Sequence, residues 1–291
     1  MCWICDAKTP GAPNGPSSRS LWAPRRAFLR AAGAAAAAAA TAPALAQVDV
    51  GSASRWRSVV PAETLEASAR QQYAQVLAQA RAKGALAPDN HPQLKRLRAM
   101  AARLIPFTAQ WNGRVSSWQW EINLIGSKQI NAWCMPGGKI AFYTGILDQL
   151  KLTDDEAAMI MGHEMAHALR EHARERLAKS TATDMGLRLG AQLLGLGQVG
   201  DMAAGLGSQL LTLKYSRDDE TEADLVGLEI AARGAYLPEA SVNLWKKMMA
   251  ANGGSGGPGF LSTHPAGPER IKQLEANLPK VQTLYQQAQR G

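Results

Sequence analysis

His163-Glu164-Met165-Ala166-His167 sets two imidazoles four residues apart, with a carboxylate directly after the first. On a helix advancing about 100° per residue, His163 and His167 share a face one turn apart. Two neutral imidazoles at that separation can bind one Zn²⁺. Glu164 is offset by one residue and can reach a water held on the metal. Zinc lowers the pKa of such a water to about 7, so a carboxylate can take its proton. The chemistry this implies is hydrolysis of a carbonyl compound at one zinc per chain, with Glu164 as the catalytic base.

A third ligand has to come from elsewhere. His172 lies five residues beyond His167. On a continued helix it stands about 140° from that histidine's direction, so it reads as a packed or surface residue. Glu220 and Asp224 are four apart and share a face of a second helix. One can bind the metal while the other accepts a hydrogen bond from a ligating imidazole, and spacing leaves the choice open. Glu222 points away from that face.

The elements that must carry these residues are legible around them. Thr153-Asp154-Asp155-Glu156 is a capping box opening a helix that should run to about Lys179. Ser216-Arg217-Asp218-Asp219 caps another, running to about Arg233. Upstream, Glu63–Lys83 and Pro92–Ile105 have helical spacing. Trp118, Trp120, Ile122 and Leu124 alternate with polar residues, the period of a half-buried strand. Gln129–Met135 and Lys139–Thr144 are further strands around the turn Pro136-Gly137-Gly138. The expected fold class is therefore α+β, mainly helical with a small antiparallel sheet, and Lys139–Thr144 is its expected open edge. Residues 185–213 read as a loose connector, Gly253–Gly259 as a flexible loop, and two short helices should close the chain. Cys134, Trp118, Trp120 and Trp133 read as sheet core, and His91 as the start of a helix.

The 291 residues are 46% hydrophobic and 19% charged, a globular composition. Three cysteines exclude a disulfide scaffold. No apolar run is long enough for a helical membrane span. Residues 1–46 read as a removable export signal: Arg25-Arg26-Ala27-Phe28-Leu29-Arg30, an alanine-rich core and Ala44-Leu45-Ala46. The arginine pair points to the twin-arginine route and a periplasmic product. That segment holds five basic residues against Asp6, so 27 basic and 23 acidic residues remain of 32 and 24. The excess is too small to argue for nucleic acid. Residues 47–291 are expected to form a single domain.

These motifs give the chain a resemblance. It is similar to the HtpX/BepA/LoiP group of zinc metallopeptidases, family forty-eight, which includes the CAAX prenyl endopeptidases. The resemblance covers most of residues 90–280. It rests on Pro136-Gly137-Gly138 and the following strand, His163-Glu164-x-x-His167, Ser216-Arg217 leading to Glu220-x-x-Ala223-Asp224, and Ser262-Thr263-His264-Pro265 followed by Arg270-Ile271. It implies a gluzincin endopeptidase fold with Glu220 as the third zinc ligand and Asp224 as the partner of a ligand. It also favours a functional His264, donating to the tetrahedral oxyanion or blocking the metal's open position; the first is the preferred role, with Tyr143 or Arg270 as substitutes. Arg270 is expected behind the ligands with Asp224, from where it could assist by holding a substrate carbonyl or carboxylate. The chain shows neither the membrane spans of the HtpX type nor the helical-repeat domain of the BepA type, so a stand-alone exported form is expected.

The expected substrates are extended or unfolded polypeptides, outer-membrane proteins among them, cleaved in periplasmic quality control. A rival reading is a chaperone-like binding protein whose zinc is structural and closed by His264 as fourth ligand. A third is an esterase or deformylase-like hydrolase on the same metal site.

Overall fold

The structure is a computed structural model that describes residues 48–180, 210–251 and 259–290. The expected export signal and most of the expected connector lie outside the described residues. The described part falls within one compact unit, Leu45–Gly291.

Three layers organise the site. The first is helix α1, Ala62–Ala82. The second is a three-stranded sheet of β1, Glu121–Ile125, β2, Ala132–Met135, and β3, Lys139–Tyr143. The third is a helical body. It contains α2, Pro92–Leu104; α3, Thr144–Gln149; α4, Asp154–Leu169; α5, Arg217–Arg233; α6, Ala240–Ala251; α7, Phe260–Thr263; and α8, Pro268–Ala288. Strand alternation divides the sheet's side chains between the layers. Ile122, Leu124, Ala132, Cys134, Ile140 and Phe142 join the core of the helical body. Ile125, Trp133, Met135 and Ala141 pack with Leu65, Ala69 and Tyr73 of α1.

The sheet is mixed, not antiparallel. Its order is β1-β3-β2, with β1 parallel and β2 antiparallel to β3. The β2–β3 hairpin forms as expected, on Gly137 and Gly138 at φ +85° and +78°. A side chain at Gly138 would also lie 2.8 Å from the Trp120 ring. What differs is β1, which lies along the far side of β3. Lys139–Tyr143 is therefore the central strand and not an open edge; among the described residues β2 has one strand neighbour, and its four residues are buried. The outer side of β1 is covered in part by a bridge between Leu86 and Ile125 and by Ala87 N–H donating to the Leu124 carbonyl. β1 begins at Glu121, with Trp118 and Trp120 packed beside it rather than in it.

Both capping boxes form, at Thr153/Glu156 and Ser216/Asp219. They open the two helices that cross at the centre of the molecule. Every residue of α4 from Glu156 to Leu169 is buried. Apart from Glu156, His163, Glu164 and His167 these buried residues are apolar or glycine, as expected of a helix inside a fold. The crossing is close because it is made by glycines. A Cβ on Gly162 would sit 2.7 Å from the Gly227 carbonyl oxygen, and one on Gly227 2.6 Å from His163 N.

The helix expected to reach Lys179 is broken. α4 ends at Leu169, Glu171 turns left-handed at φ +59°, and residues 172–180 form a separate helical stretch. A non-glycine residue there costs roughly 1–2 kcal/mol. Ion pairs from Glu171 to Arg57 and Arg174 hold it. The chain also closes differently from expectation: α7 has 4 residues, but α8 has 21.

Candidate metal centre and active site

α4 presents His163 and His167 on one face, and the glycine crossing brings α5 against them. His163, His167, Glu220 and His264 are all buried, and one donor atom from each lies within 4.8 Å of the others. His163 Nε2 is 3.1 Å from His167 Nε2 and 3.3 Å from His264 Nδ1. Glu220 Oε1 is 3.0 Å from His264 Nδ1 and 3.5 Å from His167 Nε2.

Hydrogen bonds decide which ring nitrogens carry protons. The Asp224 carboxylate accepts from His163 Nδ1 at 3.0 Å, so Nδ1 bears the proton and Nε2 offers a lone pair to the cluster. Burial pushes the pKa of His163 down and that of His167 well down, which keeps both rings neutral. The Glu220 carboxyl is buried too, but His264 and His167 outweigh that effect and hold it far below the usual range. Lone pairs and an anion meeting in a buried space fit a dication, and two or three imidazoles with one carboxylate fit zinc.

Asp224 is held on three sides. Arg270 Nε and Nη2 donate to its two oxygens at 2.7 Å each, and Trp245 Nε1 donates at 3.2 Å. The Arg270 guanidinium lies 3.5 Å over the Trp245 ring and reaches Glu220 Oε2 at 2.5 Å. Arg270 is thus buried and engaged with the two carboxylates. The expectation that it grips a substrate carbonyl is corrected, because its donors are turned inward.

Glu164 sits on the sheet side. Cys134 N–H donates to its Oε2 at 3.3 Å. Its Oε1 is buried with no hydrogen-bond partner among the described residues, and His264 Nε2 is 3.5 Å away. Burial raises the Glu164 carboxyl to about 7. His264 stacks on Phe260 at 4.2 Å. Burial disfavours its charged ring, but Glu164 and Glu220 together outweigh that and raise its pKa. The ring therefore stands among the donors, where a fourth ligand would stand.

Tyr215 and Trp245 were not singled out from the sequence. Tyr215 stacks on His167 at 3.9 Å and immediately precedes the capping Ser216, which was the available signal. Nothing in the sequence pointed to Trp245. His172 is buried against His167, and Glu222 lies outside the donor cluster. Tyr143 lies on the central strand. A small depression lies between β2, Leu210, Leu211, Leu213, Tyr215, Glu164 and His264.

Peptidase family M48 matches residues 88–278. The mitochondrial metalloendopeptidase OMA1 of Schizosaccharomyces pombe is 34% identical over 197 residues, 67% of this chain and 56% of that protein. The mitochondrial metalloendopeptidase OMA1 of Saccharomyces cerevisiae is 33% identical over 61% of this chain and 52% of its own length. The metalloprotease LoiP of Escherichia coli is 26% identical over 66% of this chain and 73% of its own. The chain thus spans about half the length of the two yeast relatives.

Proposed function

The chain belongs to peptidase family M48, and on that premise we propose that the protein is a zinc-dependent endopeptidase of unfolded or misfolded envelope proteins, exported to the periplasm. The observation that carries this reading is the placement of Glu164 between the donor cluster and β2. Bound zinc would polarise the scissile carbonyl and acidify the attacking water. The contacts of Glu164 define its part. Cys134 N–H holds Oε2, leaving Oε1 to take a proton from water and return it to the leaving amine.

The β2 edge supports an extended substrate. Asn131 and Met135 turn their carbonyls to the β3 side, accepting from Tyr143 N and Gly138 N. Ala132 and Cys134 therefore turn their main-chain groups away from β3, with the Cys134 N–H taken by the Glu164 carboxylate. A peptide adding there is bound through its backbone with little sequence choice, which suits unfolded chains. The two yeast relatives are mitochondrial by name, so the proposed compartment rests on this chain's Arg25-Arg26 and Ala44-Leu45-Ala46.

His264 among the donors favours the rival reading of a closed, structural zinc site. One experiment separates the two. Purified mature protein should hold about one zinc per chain and digest casein, with a chelator abolishing digestion. Glu164→Gln should keep the zinc and lose at least about a hundredfold in turnover. Casein bound but uncleaved by the zinc-loaded wild type would instead establish the binding protein.

A further inference from the structure

His163 and His167 both face the donor cluster with Nε2, and each needs its proton on Nδ1. For His163 the acceptor is Asp224. For His167 the only group at Nδ1 among the described residues is another imidazole, His172, whose Nδ1 is 2.9 Å away. Two facing nitrogens share one proton, so either ring could be the donor. The next bond removes the ambiguity. His172 Nε2 is 3.2 Å from Glu222 Oε2, and a carboxylate only accepts. His172 therefore carries its proton on Nε2 and offers a lone pair at Nδ1. His167 must then donate from Nδ1, which leaves its Nε2 free for a cation. Glu222 is itself fixed: Arg170 Nε donates to the same oxygen at 2.7 Å, while Arg170 Nη2 donates to the Gly51 carbonyl at 2.9 Å.

We infer that His172 is a positioning residue of the metal centre, accepting the His167 Nδ1 proton and, through its own bond to Glu222, holding His167 in the tautomer and orientation that bind zinc. The two ligands are thus backed by different devices, Asp224 with Arg270 behind His163, and His172 with Glu222 and Arg170 behind His167. The left-handed turn at Glu171 is what makes the second device possible. On an unbroken helix His172 would point elsewhere; with the helix stopped at Leu169, its ring folds back under His167. The inference rests on the zinc-site reading above.

The test measures zinc affinity by chelator competition, beside the thermal midpoint of the metal-free protein. His172→Phe keeps a ring but removes the acceptor, and should weaken zinc binding by about 10–100-fold. His172→Asn places an amide oxygen where imidazole Nδ1 stood, and should restore affinity to within about threefold of wild type. Glu222→Leu, at a partly exposed site, removes the terminal acceptor and should also weaken zinc, with Glu222→Gln milder. It decides the matter should the phenylalanine variant fail to fold. Wild-type affinity in His172→Phe, or an equal loss in His172→Asn, would overturn the inference while leaving the zinc site intact. A wild type that binds no zinc would overturn both. Casein left uncleaved by a zinc-loaded wild type would sink only the proposed activity.

Discussion

Glu220 and Asp224 share one face of α5 and meet different partners. Glu220 faces the donor cluster, whereas Asp224 spends its oxygens on His163 Nδ1, Arg270 and Trp245. Glu220→Gln should therefore strip most of the zinc, and Asp224→Asn should weaken it by about 10–100-fold, both read by metal content after dialysis. Metal lost from the second variant but kept by the first would reverse the assignment. His264 has its own sign test. Its Nδ1 stands 3.3 Å from His163 Nε2 and 3.0 Å from Glu220 Oε1, so removing the ring should open a coordination position. His264→Ala should raise the initial rate of casein digestion. A fall of about 10²–10³-fold would instead assign His264 the oxyanion role.

At the level of elements, the site depends on how closely α4 and α5 approach. Gly162 and Gly227 let backbone meet backbone there, and the residues flanking them carry His163 and, one turn earlier on α5, Asp224 and Ala223. Gly227→Ala would drive a methyl to 2.6 Å from His163 N, where only backbone can yield. Overpacking of this kind costs roughly 1–3 kcal/mol. We expect a lower thermal midpoint in the metal-free protein together with weaker zinc binding, because the helices can part only by moving Glu220 from the histidines. A variant equally stable and equally tight for zinc would show that the crossing has slack. The same glycines were silent in the sequence. A small residue inside a helix marks a close approach only once the partner is known, whereas the capping boxes at Thr153 and Ser216 were readable because they involve residues three apart.

At the level of the molecule, the helical body, sheet and α1 enclose the metal centre, and among the described residues β2 has a strand on one side only. Among the described residues no helix is long and apolar enough to cross a membrane. The proposed compartment therefore depends on the N-terminal residues. Replacing Arg25 and Arg26 with lysines should leave the protein uncleaved in the cytoplasm, seen by fractionation and by the size of the chain. Normal export of that variant would place the protein on the general secretory route instead.

His163, Glu164 and His167, the two helix starts and the β2–β3 turn were determined by sequence alone, since each depends on dihedrals and spacing within a few residues. The pairing of α5 with α4 was approachable for the same reason, because Glu220 and Asp224 are four apart whatever the helix packs against. Tertiary structure decided the rest. β1 lies beside β3 and not β2, because strand order follows from which edge the core covers, and alternation is identical in either arrangement. His172 is packed and not a ligand, as read, but its place against His167 was not legible, because a helical projection holds only while the helix continues, and Glu171 ends it. Arg270 turned inward, and His264 reached His163 from 101 residues away, because buried carboxylates and lone pairs gather cations and donors from any part of the chain that folding brings near.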